Sequence, residues 1–241
     1  MPQFKSAGIS PAILPLWLTC FPGETEAEVK ALLALLAPDG KLLYAEADGK
    51  IISMGLLFPC LLSGERGYYL YALCTSPAYR RRGYLRALIA RARELGEADG
   101  AAFMLLIPAD DTLAEAYRRL GFRVPVPLTA DAGGKQFYLP MTTEDRFPFD
   151  GDFDRLYALS DKRRSPALFR AALISVAENT DIFYTKDGFG VCAKADPTRG
   201  FTADAATLAR AARADCPHRA LLYPLRGGNF AIDEWADPLP R

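Results

Sequence analysis

The stretch that decides the fold is Tyr69-Leu-Tyr-Ala-Leu-Cys-Thr-Ser-Pro-Ala-Tyr-Arg-Arg-Arg-Gly-Tyr-Leu-Arg-Ala-Leu-Ile89. Residues 67–75 are aromatic and apolar without a helical period, which predicts a buried strand. Pro77 ends that strand, because proline has no backbone N–H to donate. After Gly83 the apolar residues recur at helical spacing, at Leu85, Leu88, Ile89, Ala92 and Leu95. The stretch therefore predicts a strand, a basic turn and the start of a helix in direct succession.

The basic turn and the helix start suit an anion. Backbone N–H groups in a first helical turn have no internal partner, and the helix dipole adds about half a positive charge there. Gly83 lets the backbone approach a ligand closely. Arg80, Arg81 and Arg82 add forked donors that match phosphate oxygens. Such a run could also be a solvated surface, but cations oppose the dipole at this end of a helix unless an anion is bound. The pattern therefore favours a pyrophosphate site.

The composition is typical of a globular protein of one large or two small domains. The chain has 241 residues, of which 50% are hydrophobic and 24% charged, and its 29 basic and 29 acidic residues cancel. A balanced charge gives no indication of nucleic-acid binding. The apolar runs are shorter than a bilayer span, and the N-terminus does not have the layout of a signal peptide. We expect no membrane association and a cytoplasmic location.

Cysteine and histidine content argues against a metal centre. The five cysteines are odd in number and show no Cys-x-x-Cys spacing, which favours reduced thiols in the cytoplasm. The single histidine, His218, follows Cys216 and Pro217 and is interpreted as a surface residue. We expect no bound metal.

The phosphate-binding pattern resembles a known family. Pro77-x-x-Arg80-x-x-Gly83 after an apolar strand resembles the acetyl-CoA loop of the GNAT (GCN5-related) N-acetyltransferases, Arg/Gln-x-x-Gly-x-Gly/Ala. Leu85 stands where that family has a small residue. The run Arg-Arg-Arg-Gly-Tyr-Leu-Arg is most similar to the branch of the enhanced-intracellular-survival acetyltransferases. The resemblance implies that acetyl-CoA is the acyl donor and that its pyrophosphate is bound by Arg80, Arg81, Arg82, Gly83, Tyr84, Leu85 and Arg86.

The resemblance also implies how the rest of the cofactor binds. In the GNAT fold two parallel strands splay apart, and the pantetheine arm lies in the gap. The backbone amides at Leu73, Cys74 and Thr75 would then contact the arm, so the Cys74 side chain is not a nucleophile.

A second motif lies about thirty residues further on. The segment Asp110-Asp-Thr-Leu-Ala-Glu-Ala-Tyr117-Arg-Arg-Leu-Gly-Phe122 is similar to the GNAT pattern Asn-x-x-Ala-x-x-x-Tyr-x-x-x-Gly-Phe. The similarity implies that Tyr117 protonates the departing CoA thiolate, although Asp110 replaces the usual asparagine. A phenol, with an ordinary pKa of about 10, carries its proton at neutral pH. Helical spacing alone favours a core tyrosine packed on Leu113 and Leu120, and it is the spacing to the arginine-glycine loop that raises the catalytic interpretation.

The order of elements extends the resemblance over the first part of the chain. The resemblance implies an α/β (α+β) fold of GNAT type, with a mixed, mostly antiparallel sheet flanked by helices. The predicted helices and strands are a helix over 10–21, a helix with Val29, Leu32, Leu33 and Leu36 inward, a hairpin over 42–58 with an Asp48-Gly49 turn, the strand 67–75, the helix 83–95, a strand over 102–107, a helix over 111–120, and strands over 122–126 and 136–142.

Two domains are expected. Residues 1–143 would form the acetyl-CoA-binding domain, residues 144–151 a linker, and residues 152–241 a smaller, degenerate GNAT-like α/β domain. The elements predicted in the second part are helices over 153–160 and 166–177, a hairpin over 181–194 with an Asp187-Gly188 turn, a helix over 203–214 and a strand over 220–224.

The sequence thus predicts an acetyl-CoA-dependent N-acetyltransferase, in which a small-molecule or peptide amine attacks the thioester directly. No residue is clearly nominated as the base. Glu24, Glu26 and Glu28 are acidic candidates that could equally be partners of a helix dipole, and Tyr69 and Tyr71 could hold a relay water. In the intracellular-survival branch the C-terminal carboxylate enters the active site, and whether Arg241 does so stays open.

Two other functions stay open at this point. One is a non-catalytic acyl-CoA-binding sensor or partner-binding module. The other is an interaction protein whose arginine turn binds a phosphorylated or acidic partner. The acceptor and the oligomeric state, including a homo-oligomer, are not specified by the sequence.

Overall fold

The computed structural model describes residues 2–62, 64–127, 147–160, 165–177, 180–184, 189–194, 196–202 and 219–226. The chain divides into two compact units, Met1–Val124 with Leu221–Phe230, and Pro125–Ala220 with Ala231–Arg241.

The first unit contains a seven-stranded sheet flanked by helices. Its helices are α1 (Leu14–Cys20, after a 3₁₀ turn at Pro11–Ile13), α2 (Glu26–Leu36), α3 (Tyr84–Ala98) and α4 (Asp111–Arg119). The strands of this sheet are β1 (Lys5–Gly8), β2 (Lys41–Ala47), β3 (Lys50–Leu62), β4 (Glu65–Thr75), β5 (Phe103–Leu106), β6 (Val124–Pro127) and β11 (Arg219–Pro224); of β6 only Val124 belongs to the first unit, and of β11 the residues from Leu221 on do. The strand order is β1-β2-β3-β4-β5-β11-β6, and the pair β4–β5 is parallel among antiparallel neighbours.

Local sequence signals account for the boundaries of these elements. Thr25 and Glu28 form a capping box at the start of α2. Asp48 and Gly49 both have positive φ, at 50° and 71°, as the predicted tight hairpin turn between β2 and β3 requires. All four residues of β5 are buried, as expected for an apolar strand in the centre of a sheet. The predicted mixed, mostly antiparallel α/β architecture is confirmed.

The apolar stripe of α3 packs on the sheet. Ala87, Leu88, Ile89 and Ala92 are buried in one cluster with residues of β2, β3, β4, β5 and β11. This packing fixes the start of α3 relative to the end of β4, so it positions the basic turn between them.

The last strand differs from the expectation. We assigned a strand over 220–224 to the second domain, but β11 lies in the first unit's sheet and pairs antiparallel with β5, from Leu221↔Leu106 to Pro224↔Phe103. A buried-strand pattern specifies an apolar strand but not the sheet that it joins, which is a long-range property. The predicted strand over 136–142 and helix over 203–214 lie outside the described residues.

The second unit has a smaller sheet and two helices. The predicted helices are present as α5 (Phe153–Leu159) and α6 (Pro166–Val176). The strands are β7 (Phe147–Pro148), β8 (Thr180–Tyr184), β9 (Phe189–Ala193) and β10 (Asp196–Thr202), in the order β10-β9-β8-β7. The hairpin strands β8 and β9 are those predicted, whereas β10 was not predicted; the Asp187-Gly188 turn lies outside the described residues. A small core contains Leu156, Phe169, Leu173, Tyr184 and Phe189.

The described helices include none that is both long enough and apolar enough to cross a bilayer.

Candidate functional site

The parallel pairing between β4 and β5 ends before β4 does, and the flank of β4 beyond Leu70 on the β5 side is called the gap here. The β4–β5 register runs from Gly67↔Phe103 to Leu70↔Leu106, whereas β4 continues for five residues beyond Leu70, to Thr75. On its other side β4 stays paired with β3, through a bulge at which Ala72 has φ 50°. Backbone groups on the side that has lost its parallel neighbour are directed at whatever occupies the gap. The end of β4 can therefore bind an extended ligand as a neighbouring strand would.

The predicted pantetheine contacts Leu73, Cys74 and Thr75 all lie in the part of β4 that extends beyond its pairing with β5. A buried serine on β3 contacts the end of this part. Ser53 on β3 has no exposed surface, and its Oγ donates to the Cys74 carbonyl at 3.0 Å and lies 2.8 Å from Thr75 Oγ1. Sequence reasoning missed Ser53. The available signal was a hydroxyl inside the apolar run of β3, because buried polar groups need partners.

The Cys74 thiol is unsuited to act as a nucleophile. Burial raises the pKa of Cys74, and the neighbouring Cys20 thiol raises it further. The thiol form therefore dominates at neutral pH, and only a thiolate is strongly nucleophilic.

The three arginines of the basic turn are exposed, and their side chains have different contacts. Arg80 Nε donates to the Thr75 carbonyl at 3.1 Å, which ties the turn to the end of β4. The Arg82 guanidinium lies 5.3 Å from the centre of the Tyr79 ring. Arg81 has φ 62°, a left-handed conformation that few side-chain-bearing residues adopt. The turn therefore presents a compact, positively charged surface beside the gap.

The start of α3 adds backbone donors to this positive surface. Gly83 is the N-cap residue in the left-handed region, with φ 83° and no side-chain cap bond, and the Ala87 N–H is the one that bonds to its carbonyl. A Cβ built on Gly83 would meet no atom within 4 Å among the described residues. The Leu85 side chain packs against the core instead, so the larger residue at this position leaves the surface above Gly83 open. The first turn of α3 thus has N–H groups without a side-chain cap, and such groups can bind an anion.

Tyr117 lies on α4 and is nearly buried. Its ring packs edge-on against Phe122 at 5.7 Å, whereas Leu113, one of the two predicted core partners, is 37% exposed. Burial, followed by the charges of Asp110 and Cys74, raises the pKa of Tyr117 to about 12. The phenol therefore keeps its proton over the physiological range and lies within electrostatic reach of the end of β4.

Asp110 has a structural role that explains the departure from asparagine. Its Oδ1 accepts a hydrogen bond from the Leu113 N–H at 2.7 Å and caps α4. Aspartate and asparagine are equally good N-cap residues.

The three acidic candidates have distinct partners. The Glu28 carboxylate accepts from the N–H and hydroxyl of Thr25 in the capping box, and Glu26 pairs with Lys30 at 2.6 Å. Glu24 accepts instead from the indole N–H of Trp17 at 2.5 Å. Tyr69 and Tyr71 stack on each other at 6.3 Å, on the face of β4 opposite to the α3 core. His218 and Arg241 lie outside the described residues, among which no side-chain group could hold a metal ion.

Comparisons with known proteins agree with this geometry. Residues 10–122 match the model of the acetyltransferase (GNAT) family, whose acyl donor is acetyl-CoA. No curated protein sequence matches the chain.

Three solved structures share the fold. A conserved protein of Enterococcus faecalis V583, named "Probable N-Acyltransferase", is 14% identical with a TM-score of 0.57, over 79% of this chain and 55% of its own. Eis1 from Mycobacterium abscessus is 17% identical with a TM-score of 0.54, over 78% of this chain and 53% of its own. A GCN5-related N-acetyltransferase from Kribbella flavida is 14% identical with a TM-score of 0.51, over 92% and 71%. The chain thus spans about half the length of the first two proteins.

Proposed function

We propose that this protein is an acetyl-CoA-dependent N-acetyltransferase that transfers an acetyl group to a primary amine by direct attack. The observation that carries the proposal is the gap at the end of β4, which lies beside an open helix start carrying three exposed arginines. An elongated, diphosphate-bearing thioester is complementary to both features at once.

The pyrophosphate would bind at the start of α3. The N–H groups of Tyr84, Leu85 and Arg86 offer donors along the helix axis, and the exposed guanidinium groups of the turn supply charge. Arg80, tied to Thr75, would act mainly by fixing the turn. The pantetheine arm would run along Leu73, Cys74 and Thr75, whose geometry Ser53 maintains.

The acyl transfer would proceed in two steps, formation of a C–N bond and then cleavage of the C–S bond. The neutral amine nitrogen attacks the thioester carbonyl, a new C–N bond forms, and backbone N–H groups at the end of β4 stabilise the oxyanion. The C–S bond then breaks as the tetrahedral intermediate collapses. Tyr117 donates its phenolic proton to the departing thiolate, and the nitrogen loses its proton to solvent or a base. Much of the rate would come from the positioning of the two substrates.

We infer that the second unit is a degenerate GNAT-like unit, as in the intracellular-survival branch. Two helices followed by an antiparallel hairpin repeat the order that opens the first unit, and the sequence after residue 152 has no Arg-Arg-Arg-Gly run like that at residues 80–83. Cys20, Cys60 and Cys74 are free thiols, which supports a cytoplasmic location.

A non-catalytic acyl-CoA-binding module is the second candidate. It is favoured by the partners of two acidic candidates for the base, since Glu26 pairs with Lys30 and Glu28 is bound to Thr25. Such a module would bind acetyl-CoA but release no CoA with any amine.

Calorimetric titration with acetyl-CoA tests the proposal, with S-acetylpantetheine, which lacks the pyrophosphate, as the matched ligand. We expect acetyl-CoA to bind at least about tenfold more tightly, since charge-assisted hydrogen bonds are each worth about 1.5–3 kcal/mol. No binding of acetyl-CoA at millimolar concentration would refute the proposal. Binding without CoA release across a panel of primary amines would favour the second candidate.

A further inference from the structure

Aromatic side chains line the face of the first unit next to the bulge of β4. The Trp17 ring on α1 lies 5.2 Å from Phe21 and 6.2 Å from Tyr71 on β4, measured between ring centres. Tyr71 directly precedes Ala72, the residue at which β4 bulges after its pairing with β5 has ended. An apolar surface therefore lies immediately beside the segment where the thioester would be held.

One carboxylate is fixed to this aromatic surface. Glu24 is exposed, and its Oε2 accepts the hydrogen bond from Trp17 Nε1, while Trp17 itself is 2% exposed. A carboxylate has about four acceptor positions, so a single indole bond leaves capacity for a further donor. The indole, anchored in the core, thereby holds a negative charge at the edge of the aromatic surface. Glu26 and Glu28, on the same segment, are bound to Lys30 and Thr25 instead.

We propose that Glu24 and Tyr71 form the acceptor subsite, in which the Glu24 carboxylate, held by the buried Trp17 indole, binds the acceptor's ammonium group and the half-buried Tyr71 ring packs against its flat, apolar body. This inference rests on the proposed function and names its acceptor class, a primary amine attached to an aromatic or apolar group. Cations are also attracted to tyrosine rings, which favours the same class. Glu24 is then a specificity-determining residue, because it selects the charge of the acceptor.

A purely structural role for Glu24 makes a different prediction. The Trp17–Glu24 bond could simply hold the segment between α1 and α2 in place. A glutamine at position 24 keeps an amide oxygen that can accept the indole N–H but has no charge. Glu24→Gln therefore separates the two roles, and Glu26→Gln removes a neighbouring charge as the matched control.

The test compares two ligands that differ in charge. Phenethylamine has the proposed ammonium and ring, and 2-phenylethanol is its neutral analogue. Their dissociation constants would be measured by ligand-observed NMR with CoA bound, so that no transfer occurs. We expect the wild type to prefer the amine by about tenfold or more, the value for one charge-assisted hydrogen bond. Glu24→Gln should abolish the preference, and Glu26→Gln should retain it.

Each other result overturns the inference. An equal affinity of the wild type for both ligands would show that no ammonium is recognised, and an undiminished preference in Glu24→Gln would place the recognition elsewhere.

Trp17 and Trp235 are the two tryptophans of the chain, so in a Trp235→Phe background the fluorescence of Trp17 should change on binding. Acetyl-CoA affinity of the same variants is measured separately. If the wild type does not bind acetyl-CoA, the proposed function is refuted. If the wild type binds acetyl-CoA but does not prefer the amine over the alcohol, only the subsite is refuted.

Discussion

Gly83→Ala should reduce acetyl-CoA binding far more than it reduces stability. Gly83 has φ 83°, and an added Cβ meets nothing within 4 Å among the described residues, so the cost to folding is confined to the backbone conformation. A left-handed conformation costs a residue with a Cβ about 1–2 kcal/mol. For a chain of this size we expect the melting temperature to fall by about 2–8 °C.

The effect on binding should be larger because the methyl group would project into the open space above the first turn of α3. It would push a pyrophosphate away from the N–H groups of Tyr84 and Leu85, and each charge-assisted hydrogen bond contributes about 1.5–3 kcal/mol. We expect the dissociation constant for acetyl-CoA to increase by at least about tenfold, measured by calorimetry.

Gly49→Ala is the matched control. Gly49 also has positive φ, at 71°, and also has nothing within 4 Å of a built Cβ, but it lies in the β2–β3 hairpin turn. It should lose a similar amount of stability and bind acetyl-CoA like the wild type. The reasoning fails if the two alanine variants bind acetyl-CoA equally well.

Three further predictions concern the end of β4 and α4. Tyr117→Phe should reduce kcat by about a hundredfold or more with little change in the KM for acetyl-CoA, as loss of a general acid does, and steady-state kinetics with an unchanged kcat would exclude the acid role. Because burial raises the pKa of Tyr117 to about 12, its contribution to stability is fully present below pH 10 and is lost as the pH rises towards about 12, so in urea unfolding the wild type should lose stability relative to Tyr117→Phe across this window; a constant difference would contradict the raised pKa. Ser53→Ala leaves the Cys74 carbonyl and the Thr75 hydroxyl without their buried partner, which should cost about 1–3 kcal/mol of unfolding free energy and raise the KM for acetyl-CoA; an unchanged KM would show that Ser53 is structural only.

The parts of the site that are local in sequence could be predicted, and those that depend on distant segments could not. The succession of β4, basic turn and α3 occupies one contiguous stretch, Glu65 to Ala98, and proline and glycine mark the ends of the turn. Ser53 becomes meaningful only when β3 pairs with the end of β4, through a bulge whose register no short pattern specifies.

The acidic candidates show the same limit. Glu24, Glu26 and Glu28 are alike in sequence, and a capping box could have identified Glu28 as the partner of Thr25. What distinguishes Glu24 is its bond to Trp17 on the preceding helix, which depends on how two helices pack. Specificity at this site is therefore a property of tertiary contacts rather than of the motif.

The position of β11 implies that the first unit needs a strand from a distant part of the chain, so that residues 1–124 should not fold without it. The family match ends at residue 122, yet Leu222 on β11 is fully buried, and its carbonyl accepts from the Arg123 N–H at 2.9 Å. Leu222→Ala should therefore cost about 2–5 kcal/mol, whereas Leu113→Ala on exposed α4 surface should cost much less. Thermal melts with and without acetyl-CoA would show whether the acyl-CoA site is lost together with the core. If Leu222→Ala melted like Leu113→Ala, β11 would not be an integral strand of the sheet, and residues 1–124 should then fold and bind acetyl-CoA alone.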